Sequence, residues 1–476
     1  MRMQNFKVLS DDDIKQIDAA SIKMLEQTGV KIHCDTVEKL LINAGAIFNE
    51  GKGTIHISEK MVRKALATVP REIKLYDRNL KNPITLGKGA MAAASGHNAT
   101  FIKDYKTGEH RGVTKAEVGN FARLSDALKD IDIVGIQAYP QDVRAEATLL
   151  HAYEASVNNT TKHIFFSPES LDVVKAIIKM AKVVCGSSDL SRGSPVTCQL
   201  SPTSPLFWEP GAIGGVVECA REGVPLTFLP QPFSGMTAPI TIAGLLAQHN
   251  AETLSGIVVS QLTKAGAPII WGSAWTTFDM KKANVIIGSP EASVLRVAGV
   301  QLARYYNIPS HTIGPDADAH CYDQQLGWEK MMSTLSALGS GVDMLVNSGM
   351  FGTGMTVSYE QLVVDAEVIS ICRRFLEGMP VNENTLAVDV VAEVGVEGNF
   401  MGTAHTLDNL RAGALWEENV SNRHNYDAWM SRGAPDVMEN AHKKVNSILE
   451  THQCEQLSQE VRKKLSELIE KFESNC

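Results

Sequence analysis

One short loop concentrates side chains that can do chemistry. It follows a strand candidate at 309–313 and carries these four residues: His311, Asp316, Asp318 and His320. Two imidazoles and two carboxylates so close together have the donor types of a metal site, of a general base or of a polar anchor for a substrate carboxylate. The sequence leaves these roles open, and it leaves open a purely structural role for His320.

Aromatic residues recur at the ends of the strand candidates, although they make up only 6% of the chain. Ring faces around a common cavity attract a quaternary ammonium, which has no N–H to donate. We therefore predict a ring cage built from Tyr139, Phe166, Phe233, Trp271 and Phe351. The alternative is that these rings close the top of a hydrophobic core, which is the commonest use of buried aromatic side chains.

The elements that must position these residues alternate regularly from Thr114 onward. Short apolar strand candidates lie at 132–138, 163–166, 195–200, 224–229, 267–272, 309–313 and 342–347. Helical segments separate them, and Ser289-Pro290-Glu291 has the residue types that start such a helix. Their spacing of roughly 30–40 residues is that of a strand and its crossover helix. We predict an α/β fold, a TIM-type (β/α)8 barrel whose eighth strand lies near Phe400-Met401-Gly402.

Segments on both sides extend the predicted barrel. Residues 1–113 are predicted to form an N-terminal α+β cap, because Ser10 precedes an acidic first helical turn and Ile55 alternates with polar neighbours in a strand pattern. The barrel catalytic domain is assigned to 114–432. Residues 433–476 are predicted to form a C-terminal helical tail with an amphipathic stripe, which can pack on the barrel or on another subunit.

Charge and composition exclude several classes of function. The 45 Lys and Arg against 54 Asp and Glu give a net charge of −9, which opposes nucleic-acid binding. No run reaches the roughly 18 apolar residues of a spanning helix, and Met1–Phe6 lacks a signal-peptide core, so we expect a cytoplasmic protein without a membrane partner. The eight cysteines show no Cys-x-x-Cys spacing, which predicts free thiols and no metal site of that kind.

Four short motifs occur in order along the chain: the turn at 95–100 (SGHNAT), Gly288-Ser289-Pro290-Glu291, the segment 323–329 (DQQLGWE) and the segment 358–365 (SYEQLVVD). Taken together, they resemble the trimethylamine methyltransferase family over nearly the whole chain. The resemblance implies a barrel enzyme that moves a methyl group from a methylated amine to the Co(I) corrinoid of a separate protein. Family members that use trimethylamine carry pyrrolysine, whereas this chain contains only standard residues. The resemblance is therefore to the branch without pyrrolysine, with a quaternary amine such as glycine betaine, proline betaine or carnitine as the expected substrate.

The implied reaction needs no catalytic acid or base, because a quaternary nitrogen leaves as a neutral tertiary amine. We expect the ring cage to hold the cation, and donors to hold the substrate carboxylate: Asn98, Gln199, Thr312 and His320. Cobalamin-binding domains of the relevant kind show Asp-x-His-x-x-Gly, but the near match at 318–323 ends in Asp323. We therefore expect no cofactor bound by this chain itself, and a corrinoid carried by a partner protein.

Two other functions stay open at this point. A non-catalytic betaine-binding protein would keep the ring cage without the chemistry. A metal-dependent barrel hydrolase or aldolase would use Asp316, Asp318 and His320 as its functional residues. For any of these functions we expect a homo-oligomer.

Overall fold

The computed structural model describes residues 6–476 and begins with a small α+β segment. Met1–Asn5, part of the stretch without a signal-peptide core, lie outside the described residues. The elements of the segment are α1 (Asp11–Gln27), β1 (Lys31–Ile32), α2 (Asp35–Asn43), β2 (Ile47–Asn49), β3 (Thr54–His56), α3 (Glu59–Leu66), β4 (Ile73–Leu75) and β5 (Ile84–Leu86). The predicted start of α1 is confirmed, because the Ser10 hydroxyl accepts from Asp13 N while the Asp13 carboxylate accepts from Ser10 N.

The elements of the main body follow in chain order. They are β6 (Ala92–Ser95), β7 (Phe101–Lys103), β8 (His110–Gly112), α4 (Lys115–Ala127), β9 (Ile133–Gly135), α5 (Thr148–Val157), β10 (His163–Phe166), α6 (Leu171–Cys185), β11 (Val196–Leu200), β12 (Phe207–Trp208), α7 (Pro210–Glu222), β13 (Leu226–Phe228), α8 (Ile242–Thr263), β14 (Ile269–Ser273), β15 (Thr277–Asp279), β16 (Asn284–Ile286), α9 (Pro290–Tyr305), β17 (Ser310–Ile313), α10 (Gln324–Ser340), β18 (Met344–Ser348), β19 (Met350–Phe351), β20 (Thr356–Val357) and α11 (Tyr359–Glu377).

Eight parallel strands close into a barrel in the order β6-β9-β10-β11-β13-β14-β17-β18, and β18 pairs with β6. The predicted (β/α)8 barrel is thereby confirmed. The strand expected near Phe400 is wrong, because Phe400-Met401-Gly402 lies in exposed bends and turns. The eighth strand is β6, which is the first strand of the barrel along the chain. It lies within the range 1–113, which the sequence pattern assigns to the N-terminal cap.

Strand β6 escapes the sequence pattern because small residues form it. Ala92-Ala93-Ala94-Ser95 contains none of the β-branched or aromatic residues that mark a strand. The backbone at its end approaches β9 so closely that a Cβ on Gly135 would lie 2.3 Å from Gly96 O. Gly135 N instead donates a hydrogen bond of 2.9 Å to Ser95 Oγ. Close backbone approach, rather than side-chain packing, closes this seam of the barrel.

Side chains alternate between the inside of the barrel and the helix layer, as the twofold period of a strand requires. The inner cluster includes Ala92, Ala94, Ile133, Phe165, Ile270, Met344 and Val346. The outer cluster, shared with the helices, includes Ile164, Phe166, Leu226, Phe228, Trp271 and Leu345. This alternation between the two faces, which we call strand parity, decides which residues at the strand ends can reach a common cavity.

All the regular elements described after α11 are helices, which irregular segments connect. These are α12 (Glu383–Leu386), α13 (Val388–Val394), α14 (Ala404–Arg411), α15 (Tyr426–Ser431), α16 (Val437–Thr451) and α17 (Gln459–Ser474). Helix α17 packs on α6 of its own chain and buries Leu465 and Ile469, so the predicted tail helix lies on the barrel. Over residues 6–476, no helix combines the length and apolarity needed to cross a membrane. The eight cysteines are free, as predicted.

Candidate active site

A cavity of about 630 Å³ opens where the barrel strands end. Residues in the last positions of several strands or directly after them line it: Ser167, Gln199, Ser201, Leu229, Ala274, Ile313 and Asn347, together with His97, Phe233 and Met350. Among the described residues that line it, none carries a permanently charged side chain. Active sites of this fold lie at the carboxyl ends of the strands, so this cavity is the candidate site.

Two histidines stand one above the other on the inner face. The rings of His97 and His311 both contact the Phe165 ring edge to face, with centroid separations of 5.1 and 5.6 Å. Burial lowers the pKa of His97 to about 4, and burial together with the charge of His97 lowers the pKa of His311 to about 3. Both imidazoles are therefore neutral near pH 7. Thr227 Oγ1 and His311 Nδ1 share a hydrogen bond of 2.9 Å, while His97 lines the cavity.

The amide of Asn347 is fixed by a buried ion pair. Its Nδ2 donates to Asp316 Oδ1 over 2.9 Å, and Arg296 Nη2 donates to Asp316 Oδ2 over 2.7 Å. Arg296 also donates to the carbonyls of Ile287 and Ile313, which satisfies its buried guanidinium. Asn347 lies at an irregularity of β18, with φ at 122°, a conformation that is uncommon for residues other than glycine. The result is an amide oxygen held in a defined orientation at the cavity.

A second group of side chains converges on Ser167. Asn98 Nδ2 and the Tyr139 hydroxyl both donate to the Ser167 carbonyl, over 3.2 and 3.3 Å. Gln199 Nε2 donates to the Ser167 hydroxyl over 3.4 Å. Asn98 has φ at 60°, which asparagine tolerates better than most residues. Burial, followed by the nearby charge of Glu169, raises the pKa of the Tyr139 hydroxyl, so it stays protonated as a donor.

Several buried polar atoms at this end of the barrel have no hydrogen-bond partner within residues 6–476. Those on cavity-lining residues are His97 Nδ1, Gln199 Oε1 and Asn347 Oδ1, and Asn98 Oδ1 and His311 Nε2 lie nearby. Buried polar groups are normally paired, and an unpaired one requires an explanation. Three of the residues that carry these atoms line the cavity, which makes their side chains candidates for ligand binding.

The structure brings only part of the predicted site together. Gln199 and Phe233 line the cavity. Asn98 does not line it, but its side chain donates a hydrogen bond to the carbonyl of Ser167, which does. Tyr139 also contacts Ser167, but its ring lines a neighbouring cavity between the barrel and the C-terminal helix. Of the five rings proposed for the cage, Phe233 alone lies among the residues lining the candidate cavity.

Strand parity places three predicted residues on the outer face instead. Phe166 lies in the helix-facing core, because its neighbour Phe165 takes the inner position. Trp271 packs against His249 and Trp275 outside the barrel. Thr312 is buried and donates to Ser273 O over 3.3 Å, while its neighbours on β17 face inward. The prediction of a five-ring cage is therefore wrong for Phe166 and Trp271, because both rings face away from the cavity.

The remaining predicted residues belong to the loop beside the cavity. Phe351 is buried in a small cluster with Ala317, Ala319 and Leu326, and it contacts the Tyr322 ring. The His320 side chain is exposed, and its carbonyl accepts from Lys103. Neither residue lines the candidate cavity.

Asp316 and Asp318, proposed as metal or base residues, have structural partners. Asp316 is ion-paired with Arg296, whereas Asp318 accepts from the backbone N–H groups of Ile287 and Gly288 over 2.9 and 2.8 Å. In the described part of the chain, no group of three or more His, Cys, Asp or Glu is arranged to hold a metal ion.

Sequence reasoning missed His97, Ser167 and Asn347 as site residues. His97 lies in a small-residue turn beside Asn98, which was chosen instead. Asn347 is the polar residue that closes the apolar strand candidate 342–347, and Ser167 directly follows HIFF at 163–166. A polar residue that ends a buried strand candidate or directly follows it is thus the signal that could have found two of the three.

Comparison with known proteins places this arrangement in context. A family model described as trimethylamine methyltransferase (MTTB) matches residues 1–476. The trimethylamine methyltransferase MttB of Desulfitobacterium hafniense is 33% identical over 98% of this chain and 93% of its own length. The glycine betaine methyltransferase of Desulfitobacterium hafniense strain Y51 is 28% identical over 98% and 97%. The crystal structure of the Methanosarcina barkeri monomethylamine methyltransferase shares the fold, with a TM-score of 0.50, 13% identity and coverage of 94% and 96%.

Proposed function

The chain belongs to the trimethylamine methyltransferase family, in its branch without pyrrolysine, and from this membership we propose that it demethylates a betaine. The substrate class is a quaternary amine that carries a carboxylate: glycine betaine or a related compound such as proline betaine or carnitine. The methyl acceptor is the Co(I) corrinoid of a separate protein. A relative named for glycine betaine and the absence of any non-standard residue in the chain support a quaternary substrate.

The observation that carries the proposal is a neutral polar cavity with unpartnered amide oxygens. A quaternary ammonium has no N–H, and its positive charge is spread over methyl groups that oxygen acceptors and ring faces attract. Gln199 and Asn347, which line the cavity, carry amide oxygens of this kind, and Phe233 supplies a ring. We therefore assign cation binding to two amide oxygens and one ring, in place of the five-ring cage.

The substrate carboxylate needs donors, and His97 is the candidate. Its ring is neutral because burial lowers its pKa to about 4, so an N–H donor is present at pH 7 without a competing positive charge. Its Nδ1 has no partner in residues 6–476. Thr203 also lines the cavity and adds a hydroxyl group. Neutral donors hold the substrate carboxylate by hydrogen bonding, and they do not repel the positively charged ammonium group beside it.

The chain's contribution to the reaction is positioning. When bound, a corrinoid supplies Co(I) as the nucleophile that takes the methyl carbon, and the amine is released neutral. No proton has to move at the chain's own residues. Asn347, fixed by Asp316, and Gln199, bonded to Ser167, hold one methyl group in a constant direction. The cavity of about 630 Å³ lies within the usual range of about 300–1,000 Å³ for small-molecule sites.

A substrate panel tests the proposal. The purified chain is mixed with cob(I)alamin, or with a reduced corrinoid protein, and with glycine betaine, proline betaine, carnitine or trimethylamine. We expect at least one betaine to convert Co(I) to methyl-Co(III), and we expect no conversion with trimethylamine. The absorption spectrum of the corrinoid measures the conversion. Demethylation without any corrinoid, or turnover of trimethylamine alone, contradicts the proposal.

The same experiment separates catalysis from binding alone. A betaine-binding protein would show heat of binding with a betaine in calorimetry and no spectral change at the cobalt. Choline, which keeps the quaternary nitrogen and lacks the carboxylate, is the matched control ligand. Binding of glycine betaine that exceeds binding of choline supports the role assigned to His97.

A further inference from the structure

A carboxylate lies hidden behind one wall of the candidate cavity. Glu252, in the middle of α8, is 0% exposed. Its Oε2 accepts a hydrogen bond of 2.7 Å from Ser204 Oγ, and its Oε1 accepts from Leu206 N and Gln248 Nε2, each over 3.0 Å. Three donors thus meet two oxygens. This is the pattern of an ionised carboxylate, which accepts hydrogen bonds and donates none.

No positive charge accompanies Glu252 in the fold. Three of the described carboxyl groups are at most 1% exposed. The first, Asp316, pairs with Arg296 over 2.7 Å. The second, Asp365, pairs with Lys330 over 2.8 Å. Glu252 is the third, and within residues 6–476 its hydrogen-bond partners are all uncharged groups. A buried charge without a counter-ion is costly, so its presence requires an explanation.

The partners of Glu252 connect it to two loops of the cavity wall. Ser204, in the loop after β11, lines the cavity. Gln248 Nε2 also donates to the Thr237 carbonyl over 2.8 Å, and Thr237 lines the cavity from the loop after β13. The Thr237 hydroxyl accepts from Phe233 N over 2.8 Å, so the carboxylate lies on the side of the cavity that carries the Phe233 ring. One hydrogen bond separates the carboxylate from the cavity lining.

A charge in this position acts on the contents of the cavity without touching them. The protein interior weakens charge–charge attraction less than water does. The described residues that line the cavity carry no permanent charge, so an ammonium group in the cavity is the opposite charge that Glu252 lacks. Burial raises the pKa of Glu252, and the hydrogen bonds from Leu206, Ser204 and Gln248 oppose that rise. A cation in the cavity would oppose it further.

Two other carboxylates lie behind the wall at Ile287, which also lines the cavity. Asp318 accepts from the backbone N–H groups of Ile287 and Gly288, and Glu329 Oε2 accepts from Asp318 N over 2.8 Å. Asp318 is half-buried, so solvent screens its charge more than it screens the charge of Glu252. Both charges persist when Glu252 is neutralised. Any preference for a cation should then decrease without vanishing.

We propose that Glu252 determines the specificity of the site for a cation. Its carboxylate attracts the ammonium group of the substrate through the wall at Ser204, and so favours a quaternary amine over an uncharged group of the same shape. The inference rests on the proposed function, because it takes a betaine as the occupant of the cavity. Glu252 acts without contact to the substrate and is therefore not a catalytic residue.

Calorimetry with matched ligand pairs tests the proposal. Each pair is a betaine and the compound in which carbon replaces its quaternary nitrogen: glycine betaine with 3,3-dimethylbutyrate, carnitine with 3-hydroxy-5,5-dimethylhexanoate, and proline betaine with 2,2-dimethylcyclopentanecarboxylate. The two members share their shape and carboxylate, so the ratio of their dissociation constants measures recognition of the positive charge. We expect the wild type to prefer the betaine. In Glu252→Gln that preference should fall about tenfold, the size of one partly screened charge interaction.

Two further variants separate charge from structure. Glu252→Asp keeps the charge but shortens the side chain and disturbs its hydrogen bonds, so it should keep the preference that the isosteric Glu252→Gln loses. A merely structural role for Glu252 predicts the reverse order. Gln248→Lys leaves Glu252 in place and supplies a counter-ion beside it, so it should also lower the preference, and it carries the test if Glu252→Gln does not fold.

The matched control is Glu367→Gln on α11. It neutralises a carboxylate that is 3% exposed and accepts from backbone N–H groups at 419–421, and it should keep the wild-type preference. A wild type that binds none of the three betaines overturns the proposed function, and this inference with it. The inference alone is overturned if the wild type binds a betaine without preferring it to its carbon analogue, if folded Glu252→Gln keeps the preference, or if Gln248→Lys keeps it. Circular dichroism establishes that each variant is folded.

Discussion

The two faces of the barrel strands carry different chemistry at the end where the cavity opens. On the inner face, His97 and Asn347 present polar atoms that no residue between 6 and 476 satisfies. On the outer face, Trp271 and Trp275 lie within 6.1 Å of one another and both contact His249. Unpartnered polar atoms occur on both faces, at His249 and Trp275 as well as at His97 and Asn347, so the inner face is distinguished by the cavity that its residues line.

Two buried histidines, His311 on the inner face and His249 on the outer face, allow a direct comparison of the two faces. Burial lowers the pKa of His311 on the inner face and of His249 on the outer face to about 3 in each case. His311 has a hydrogen bond to Thr227 and lies beneath His97, while neither ring nitrogen of His249 has a partner among the described residues. A strongly lowered pKa thus reports burial on either face. Position relative to the cavity is what separates a candidate site residue from a core residue.

The largest expected effect is on stability, at the outer face. Trp271→Ala removes a fully buried ring, and large-to-small substitutions of this kind cost about 3–5 kcal/mol of unfolding free energy. Since the side chain points away from the cavity, KM for the betaine should be unchanged in the folded enzyme. Denaturant unfolding and steady-state assays measure the two quantities. A KM that rises tenfold or more would place Trp271 in the site and break the distinction between the faces.

The next effect is on catalysis, at the inner face. Asn347→Ala removes the oriented amide oxygen, and we expect kcat/KM for the betaine to fall about tenfold, as the loss of one or two C–H···O contacts of about 0.5–1 kcal/mol each implies. Thr312→Val is the matched control, because it removes a polar atom from the outer face of the neighbouring strand. The control should keep wild-type kcat/KM. Equal losses in both variants would show that Asn347 acts through the fold alone.

Strand spacing and helix caps made most of the fold predictable. Seven strands were expected with a crossover helix between them, and Ser10 and Thr114 cap their helices as the residue types indicate. Strand β6 was not predictable, because Ala92–Ser95 forms a strand through the close approach that Gly135 permits. That approach depends on two chain segments about 40 residues apart. Local residue preference contains no information about it.

The site was less predictable than the fold, for a reason of geometry. Shifting a residue by one position along a strand turns its side chain to the opposite face. Phe165 and Phe166 have the same residue type, yet only Phe165 lies in the inner cluster. The choice of Phe166 and Trp271 followed residue type and nearness to the strand end, and neither fixes the parity. Gln199, within β11, and Phe233, in the loop after β13, line the candidate cavity.

The pH dependence of stability distinguishes the faces at an intermediate size of effect. His249 has a folded-state pKa of about 3, below its usual value, so only the unfolded chain takes up a proton as the pH falls from about 6.5. Stability is therefore lost on acidification through this window, by about 2 kcal/mol at pH 5 relative to pH 7.5 for one such group. His249→Leu should remove this part of the loss. Chemical unfolding of both proteins at the two pH values measures the difference.

His97, His163 and His311 are retained in both proteins, so they cancel in that comparison. Burial lowers the pKa of His163 to about 4 as well, and some acid sensitivity should therefore persist in the variant. Methyl transfer at pH 7.5 should be unaltered, because His249 lies outside the barrel. An identical pH dependence in variant and wild type would show that His249 is already protonated or solvated in the folded protein.

The smallest expected effect compares one ring from each face. Phe233→Leu keeps an apolar side chain at the cavity and removes the ring, so KM for the betaine should rise several-fold, as the loss of a cation–π contact of about 1 kcal/mol implies. Unfolding free energy should change little at this half-buried position. Phe166→Leu makes the same exchange on the outer face, where stability should fall and KM should stay constant. If Phe166→Leu raises KM as much as Phe233→Leu does, the ring at 233 has no special contact with the cation, and the amide oxygens alone carry its recognition.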